Sequence, residues 1–164
     1  MRMNIAVRKA ERKDLESILS LNKALFDYES KFDHEYNLDW TYSEKGRSYF
    51  QKRLESDSSI ILVAEADSTV VGYILLFIHV FAYRLHNPIA EIENMFVRED
   101  YRNQKLGTRL ITEAKKIAAK RGVKRIRVAA MAKNADARRF YKSLGFDDFE
   151  SILEIPLDKA ATSS

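Results

Sequence analysis

The sequence contains no cysteine. That removes disulfides, thiolate zinc sites and a cysteine nucleophile together. Its 164 residues include only five glycines and two prolines, and no stretch reads as a linker, an internal repeat or a low-complexity block. The three histidines, His34, His79 and His86, do not fall at metal-ligand spacing, so no metal site is expected. No Ser–His–Asp arrangement stands out. Long apolar runs are missing too. Val70 to Tyr83 is too short for the ~20 residues that span a bilayer. Met1-Arg2-Met3-Asn4 lacks the apolar core of a signal peptide, so a soluble cytoplasmic protein without a membrane role is expected.

Apolar residues make up 46% of the chain, enough to bury a core in one domain covering 1–164. Formal charge is +4, from 28 Lys and Arg against 24 Asp and Glu. A modest basic excess suits a solvated surface or the steering of an anionic ligand. The basic residues do not cluster with aromatics on one face, so no nucleic-acid partner is expected.

Alternation and helical spacing divide the chain into strands and helices. Asn4 to Lys9 alternates as a first strand. Leu15, Ile18, Leu19, Leu21, Leu25 and Phe26 line one side of a helix after Asp14. Ser43 is placed to cap a second helix through Tyr49, Phe50 and Leu54. Ile60 to Glu65 is a strand, Asp67-Ser68 a hairpin turn, and Val70 to Tyr83 a long central strand. Leu85 to Pro88 is a break, and Ile89 to Val97 the next strand. Leu106 to Arg121 repeats apolar residues at helical spacing and ends at Gly122. Arg125 to Ala130 forms a strand, pairing parallel to Ile89–Val97 because a helix joins them. Asn134 or Ala135 opens a last helix through Leu144. Phe146 to Leu157 should supply the closing strand or strand pair, and Ala160 to Ser164 a frayed tail. The class is α/β: a central mixed sheet with helices on both faces.

The chain centres on Ala90 to Ala114, a strand, a polar turn and the opening of a helix. A helix N-terminus leaves about four amides without intrahelical partners and carries roughly half a positive charge. The turn Arg102-Asn103-Gln104-Lys105-Leu106-Gly107-Thr108 adds further charge, which suits a phosphate. Taken alone, the turn reads more readily as an ordinary capped helix.

Two motifs then carry a family resemblance. Val97-x-x-x-Tyr101-Arg102-x-x-x-x-Gly107-x-x-Leu110-Ile111 resembles the GNAT family of N-acetyltransferases. The family pattern is Arg or Gln, two residues, Gly, one residue, then Gly or Ala. Arg102 and Gly107 fit it, while Lys105 stands where the first glycine is expected. Asn134-x-x-Ala137-x-x-Phe140-Tyr141-x-x-x-Gly145-Phe146 follows in the right order. Together these motifs cover about the last half of the chain.

The resemblance implies a single-domain GNAT-type acyl-CoA N-acyltransferase fold, acetyl-CoA as cosubstrate and an amine acceptor, small molecule or peptide. Similar proteins are often homodimers. It implies that the pyrophosphate is gripped by Arg102, Asn103, Gln104, Lys105, Leu106, Gly107 and Thr108. The pantetheine arm would pair with the backbone of Met95, Phe96 and Val97 like an added strand. Asn134 would contact the cofactor, and Tyr141 would protonate the departing thiolate. Glu93, four residues before the valine that ends the strand, matches a Glu that some members use to remove the amine proton.

The residues themselves leave blander roles open. Tyr141 could simply pack between helix and sheet with its hydroxyl bonded. Glu91 and Glu93 share a strand face by period two, and either could pair with Arg125 or Arg127 on the neighbouring strand. His79, in an apolar strand, reads as a hydrogen-bonded core residue. Asp27 to Trp40 is acidic and aromatic. It forms either a surface loop or an acceptor pocket in which Asp33, Glu35, Asp39 and Trp40 meet a cationic amine. Two rival functions remain: an acyl-CoA-binding domain without turnover, and a basic nucleic-acid module.

Overall fold

The structure, a computed structural model, describes residues 4–157. The expected tail at 160–164 lies outside them. Five strands form one sheet in the order β1-β2-β3-β4-β5: Ile5–Lys9, Ser59–Ala66, Thr69–His79, Ile89–Val97 and Arg125–Val128. The first four pair antiparallel, and β4 and β5 pair parallel, as the helical crossover between them requires. The hairpin turn falls at Asp67 and Ser68, both with positive φ (45° and 68°), which matches the twist of a two-residue hairpin.

Helices cover both faces. Leu15–Glu29 (α1) and Glu44–Glu55 (α2) pack on one side around Ile18, Leu19, Phe50, Ile61, Val63, Tyr73 and Leu75. Leu106–Lys120 (α3) closes the other side through Leu110, Ile111, Ala114 and Ala118, over Leu62, Ile74, Leu76 and Ile92. Ala135–Ser143 (α4) completes that layer with Phe140 and Tyr141. β2 and β3 are buried on both faces, which is why they read as nearly continuous apolar runs.

Ser43 caps α2 as expected, its Oγ accepting from the Gly46 amide at 3.1 Å. Gly46 is required there, since a Cβ would sit 2.1 Å from the Trp40 carbonyl oxygen. Asp14 does not cap α1 with its side chain. It pairs with Arg8 at 2.8 Å and accepts from the Glu11 amide at 2.7 Å, within a short 3-10 turn.

The expected closing strand is absent among the described residues. From 147 to 157 the chain runs without regular structure and is exposed throughout. β3 also ends at His79, four residues earlier than expected, and β5 ends at Val128. Apolar alternation marks a segment able to pair, but pairing also needs a strand to lie against.

Candidate functional site

The parallel ladder between β4 and β5 stops at Ile92 and Val128, while β4 stays paired with β3 to Val97. The sheet therefore splits, and Glu93 to Val97 have an open edge. A bulge opens the split: Leu76 lies opposite Ile92 and Leu75 opposite Asn94, so Glu93 is the extra residue. Arg98 donates its amide to the Val71 carbonyl at 2.9 Å, and Val97 turns its carbonyl away from β3. By alternation, Met95 and Val97 present their backbone groups to the open edge, and Phe96 presents its own to β3. Of the three residues expected to pair with an extended ligand, two are thus placed to do so.

The turn before α3 adjoins this edge. Asn103 and Lys105 are both left-handed, at φ 64° and 59°. The Lys105 conformation explains why the family pattern has glycine there, since a side chain in that region costs about 1–2 kcal/mol. Successive amides in such a turn form an anion-binding concavity. Among the described residues, none of the amides of Asn103, Gln104, Lys105, Leu106, Gly107 and Thr108 has an acceptor in the chain. The Arg102 amide differs, donating to the Glu99 carbonyl at 3.1 Å. Its guanidinium also turns back, with Nε donating to the Val97 carbonyl at 3.2 Å and the group lying over Tyr28 and Phe96. The free donors therefore begin one residue later than the motif suggests.

Gly107 serves packing. A Cβ there would meet Phe140 Cζ at 3.0 Å and Met95 Cε at 3.2 Å. α3, α4 and the open half of β4 converge at this point. Asn134 caps α4, its Oδ1 accepting from the Ala137 amide at 3.1 Å, and it is buried. That oxygen is engaged by the helix, and the side-chain amide nitrogen has no acceptor among the described residues.

Tyr141 is mostly buried in the α3–α4 layer. Among the described residues, its hydroxyl has no hydrogen-bond partner, unlike the satisfied phenol of the blander reading. Burial, and next the charge of Glu29, push it up to about 12. It is thus a firmly protonated donor at neutral pH.

Glu93 reaches the α1–α2 face. Its Oε2 accepts from the Tyr49 hydroxyl at 2.5 Å and its Oε1 from Arg53 at 2.9 Å. The expected partners on β5 are not used. Arg127 lies opposite Glu91 in the ladder, yet two of its nitrogens have no acceptor. Glu91 instead approaches His79 at 3.3 Å, without hydrogen-bond alignment. His79 is sandwiched between Phe77 and Phe81, not hydrogen-bonded in the core.

Sequence reasoning missed Tyr49, Arg53 and Glu29. In the sequence Tyr49 stands out only as a position on the second helix. Glu29 carried a readable signal: it continues the stripe of Ile18, Asn22 and Leu25 at helical spacing, where a charge is out of place. It accepts from the Tyr36 hydroxyl at 2.7 Å, and burial raises its carboxyl above the usual range. Next to it, an open cavity of about 310 Å³ is lined by Phe26, Asp33, Glu35, Tyr36, Asn37 and Trp40. Asp39 is not part of the lining. Trp40, on the cavity wall, packs on Tyr49 with ring centroids 5.5 Å apart, and Tyr49 in turn donates to Glu93, so side-chain contacts link the wall to that carboxylate. Among the described residues, no group of acidic or histidine side chains could hold a metal, and no helix is long and apolar enough to cross a membrane.

Known proteins resemble this chain in sequence and in fold. The chain is 30% identical over 148 residues to an uncharacterized N-acetyltransferase of Methanocaldococcus jannaschii, covering 89% of this chain and 62% of that relative's length. It is 29% identical over 150 residues to a spermidine N(1)-acetyltransferase of Thermoplasma acidophilum, covering 88% and 89%. An aminoglycoside N-acetyltransferase solved in complex with CoA shares the fold, with a TM-score of 0.77 at 17% identity over 95% of this chain and 96% of that one. The profile of the Acetyltransferase (GNAT) family matches residues 15–146, and this chain belongs to that family.

Proposed function

We propose that this chain is an acetyl-CoA-dependent N-acetyltransferase that moves an acetyl group to a primary amine. The observation that carries the reading is the run of six unpartnered amides, 103–108, beside the open edge of β4. A hydrogen bond to a charged acceptor contributes about 1.5–3 kcal/mol, so converging amides suit a pyrophosphate. The edge groups of Met95 and Val97 suit the amides of a pantetheine arm, and the edge N–H groups can polarise a thioester carbonyl.

The amine attacks the thioester carbon directly. Glu93 takes the amine proton, held in place by Tyr49 and Arg53; each carboxylate oxygen keeps a further lone pair for it. Tyr141 returns a proton to the departing sulfur. A phenol bound this tightly gives up its proton only late, once the sulfur carries most of the negative charge. The acceptor is a small polycationic amine. The acidic cavity beside Trp40 supports this, because Asp33 and Glu35 offer charge and the indole a cation–π face. One relative is named for acetylating spermidine, an acceptor of that class.

The alternative is a domain that binds acyl-CoA without turnover, which the strained Lys105 favours. Thiol release from acetyl-CoA across an amine panel decides between them. Release with polyamines and little with neutral amines is the expected result. Tight CoA binding with no release from any amine would establish the non-catalytic reading.

A further inference from the structure

We infer that Arg102 is a strap across the cofactor edge: in the free chain it takes the last backbone acceptor on the open edge of β4, and a ligand arm must displace it to pair there. The inference rests on the acetyl-CoA reading and adds a step to it. Register fixes which backbone groups of β4 are free. Val97 lies opposite Gly72, and Arg98 donates its amide to the Val71 carbonyl at 2.9 Å. Antiparallel pairs alternate between bonded and unbonded, so the Val97 N–H and C=O point away from β3. Met95, opposite Ile74, has the same phase. β5 stops pairing at Ile92, so no strand of the sheet meets these groups.

The Val97 carbonyl is nevertheless taken. Arg102 Nε donates to it at 3.2 Å. The guanidinium carbon lies 5.3 Å from the ring centroid of Phe96, on β4, and 5.4 Å from that of Tyr28, in the last turn of α1. The side chain therefore runs from the turn before α3, past the edge of β4, to α1. An extended arm that pairs with Val97 needs that carbonyl for its own N–H. Such a donor sits about 2.9 Å from its acceptor, so Arg102 Nε stands in the space it requires.

The hold is weak enough to release. Arg102 is exposed, and exposed hydrogen bonds and cation–π contacts are each modest. Once released, the guanidinium has all its N–H donors free, and the unpartnered amides of 103–108 follow it directly in the chain. A pyrophosphate held by those amides offers it a charged acceptor in place of a neutral carbonyl, and charge-assisted hydrogen bonds are the stronger kind. Arg102 thus trades the edge for the anion, and the arm gains its acceptor in the same exchange.

Nuclear magnetic resonance titrations with two fragments separate the two positions of Arg102. S-acetylpantetheine carries the arm without a phosphate, and ADP carries a diphosphate without the arm. Arg102→Ala should bind S-acetylpantetheine about three- to tenfold more tightly than wild type, the scale of one exposed hydrogen bond and a pair of cation–π contacts. The same variant should bind ADP more weakly. Tyr28→Leu removes one ring and keeps the guanidinium, so it should also bind S-acetylpantetheine more tightly, with no loss for ADP. Equal or weaker S-acetylpantetheine binding in Arg102→Ala would overturn the strap, and unchanged ADP binding there would overturn the trade. Weaker ADP binding in Tyr28→Leu would also overturn it, because the ring would then be presenting Arg102 to the phosphate. CoA titrated into the wild-type chain tests the underlying reading separately. A chain that binds CoA but shows no gain in Arg102→Ala loses only the strap, and one that binds no CoA loses both.

Discussion

The Tyr49 hydroxyl donates to Glu93 Oε2 at 2.5 Å and so ties α2 to the bulge of β4. Arg53, one turn further along α2, holds the other oxygen at 2.9 Å. Two side chains of α2 thus fix the carboxylate of the residue at which the sheet splits. Tyr49→Phe leaves one oxygen without its donor, at a cost of about 1–3 kcal/mol in a half-buried place. Turnover should fall several-fold in Tyr49→Phe and further in Glu93→Gln, while the dissociation constant for CoA stays the same. Steady-state rates and calorimetry check both. Wild-type turnover in Glu93→Gln would take that carboxylate out of the chemistry.

Tyr141 has no hydroxyl partner among the described residues and is pushed up to about 12, by burial first and then by Glu29. Tyr141→Phe should lower turnover by about tenfold or more, towards the roughly 10²–10⁴ of a lost proton donor, and leave CoA affinity nearly intact. The folded phenol lies above its ordinary value of 10.0, so burial of the neutral form stabilises the fold fully below pH 10.0. That contribution is lost as pH rises through about 12. Urea midpoints measured across this window should fall less in Tyr141→Phe than in wild type. Parallel curves would show that Tyr141 ionises no later in the folded chain.

Lys105 sits at φ 59° immediately before α3, where a Cβ is strained. Lys105→Gly relieves about 1–2 kcal/mol of that strain and gives back part of it through the freer unfolded chain. The net expectation is a gain of about 0.5–1 kcal/mol, read as a higher denaturant midpoint, with no gain in Lys105→Ala. Equal midpoints for the two variants would place the cost elsewhere.

Two glycines test packing separately from chemistry. At Gly46 an added Cβ would meet the backbone oxygen of Trp40 at 2.1 Å, and backbone cannot step aside. At Gly107 it would meet the ends of the Phe140 and Met95 side chains at 3.0 and 3.2 Å, which can shift. Gly46→Ala should therefore cost more than the roughly 1–3 kcal/mol typical of overpacking, and Gly107→Ala about that amount or less. Gly107→Ala should also loosen CoA binding, because α3 and α4 part beside the open amides. Thermal melts and CoA titrations check the order.

Much of this was legible in the sequence, for physical reasons. Period-two and helical spacing located every strand and helix that buries a face, down to the hairpin at Asp67-Ser68 and the cap at Ser43. The turn at 102–108 was legible because charge, glycine and a helix start coincide. What the sequence hid depends on contacts between distant segments. Nothing local says that Tyr49 and Arg53 reach Glu93, 44 and 40 residues away. Arg102 looked like an anion ligand, yet aromatic rings from α1 and β4 hold it back. The pattern at 146–157 promised a closing strand that the structure does not form, because alternation alone says nothing of whether the segment reaches a partner strand.

The acidic cavity sets the last expectation. Asp33 and Glu35 line it, and the Asp33 side chain accepts from the Glu35 amide at 3.0 Å, so the two are held together on one loop. Exposed charges attract an ammonium group by a screened, salt-dependent interaction. Asp33→Asn with Glu35→Gln should therefore raise KM for a polyamine at low salt and leave kcat unchanged. The difference from wild type should shrink as salt is added, since the Debye length falls to about 3 Å at 1 M. KM for a neutral amine should not move. A KM change of equal size for charged and neutral amines would mean the substitutions act on loop shape and not on charge.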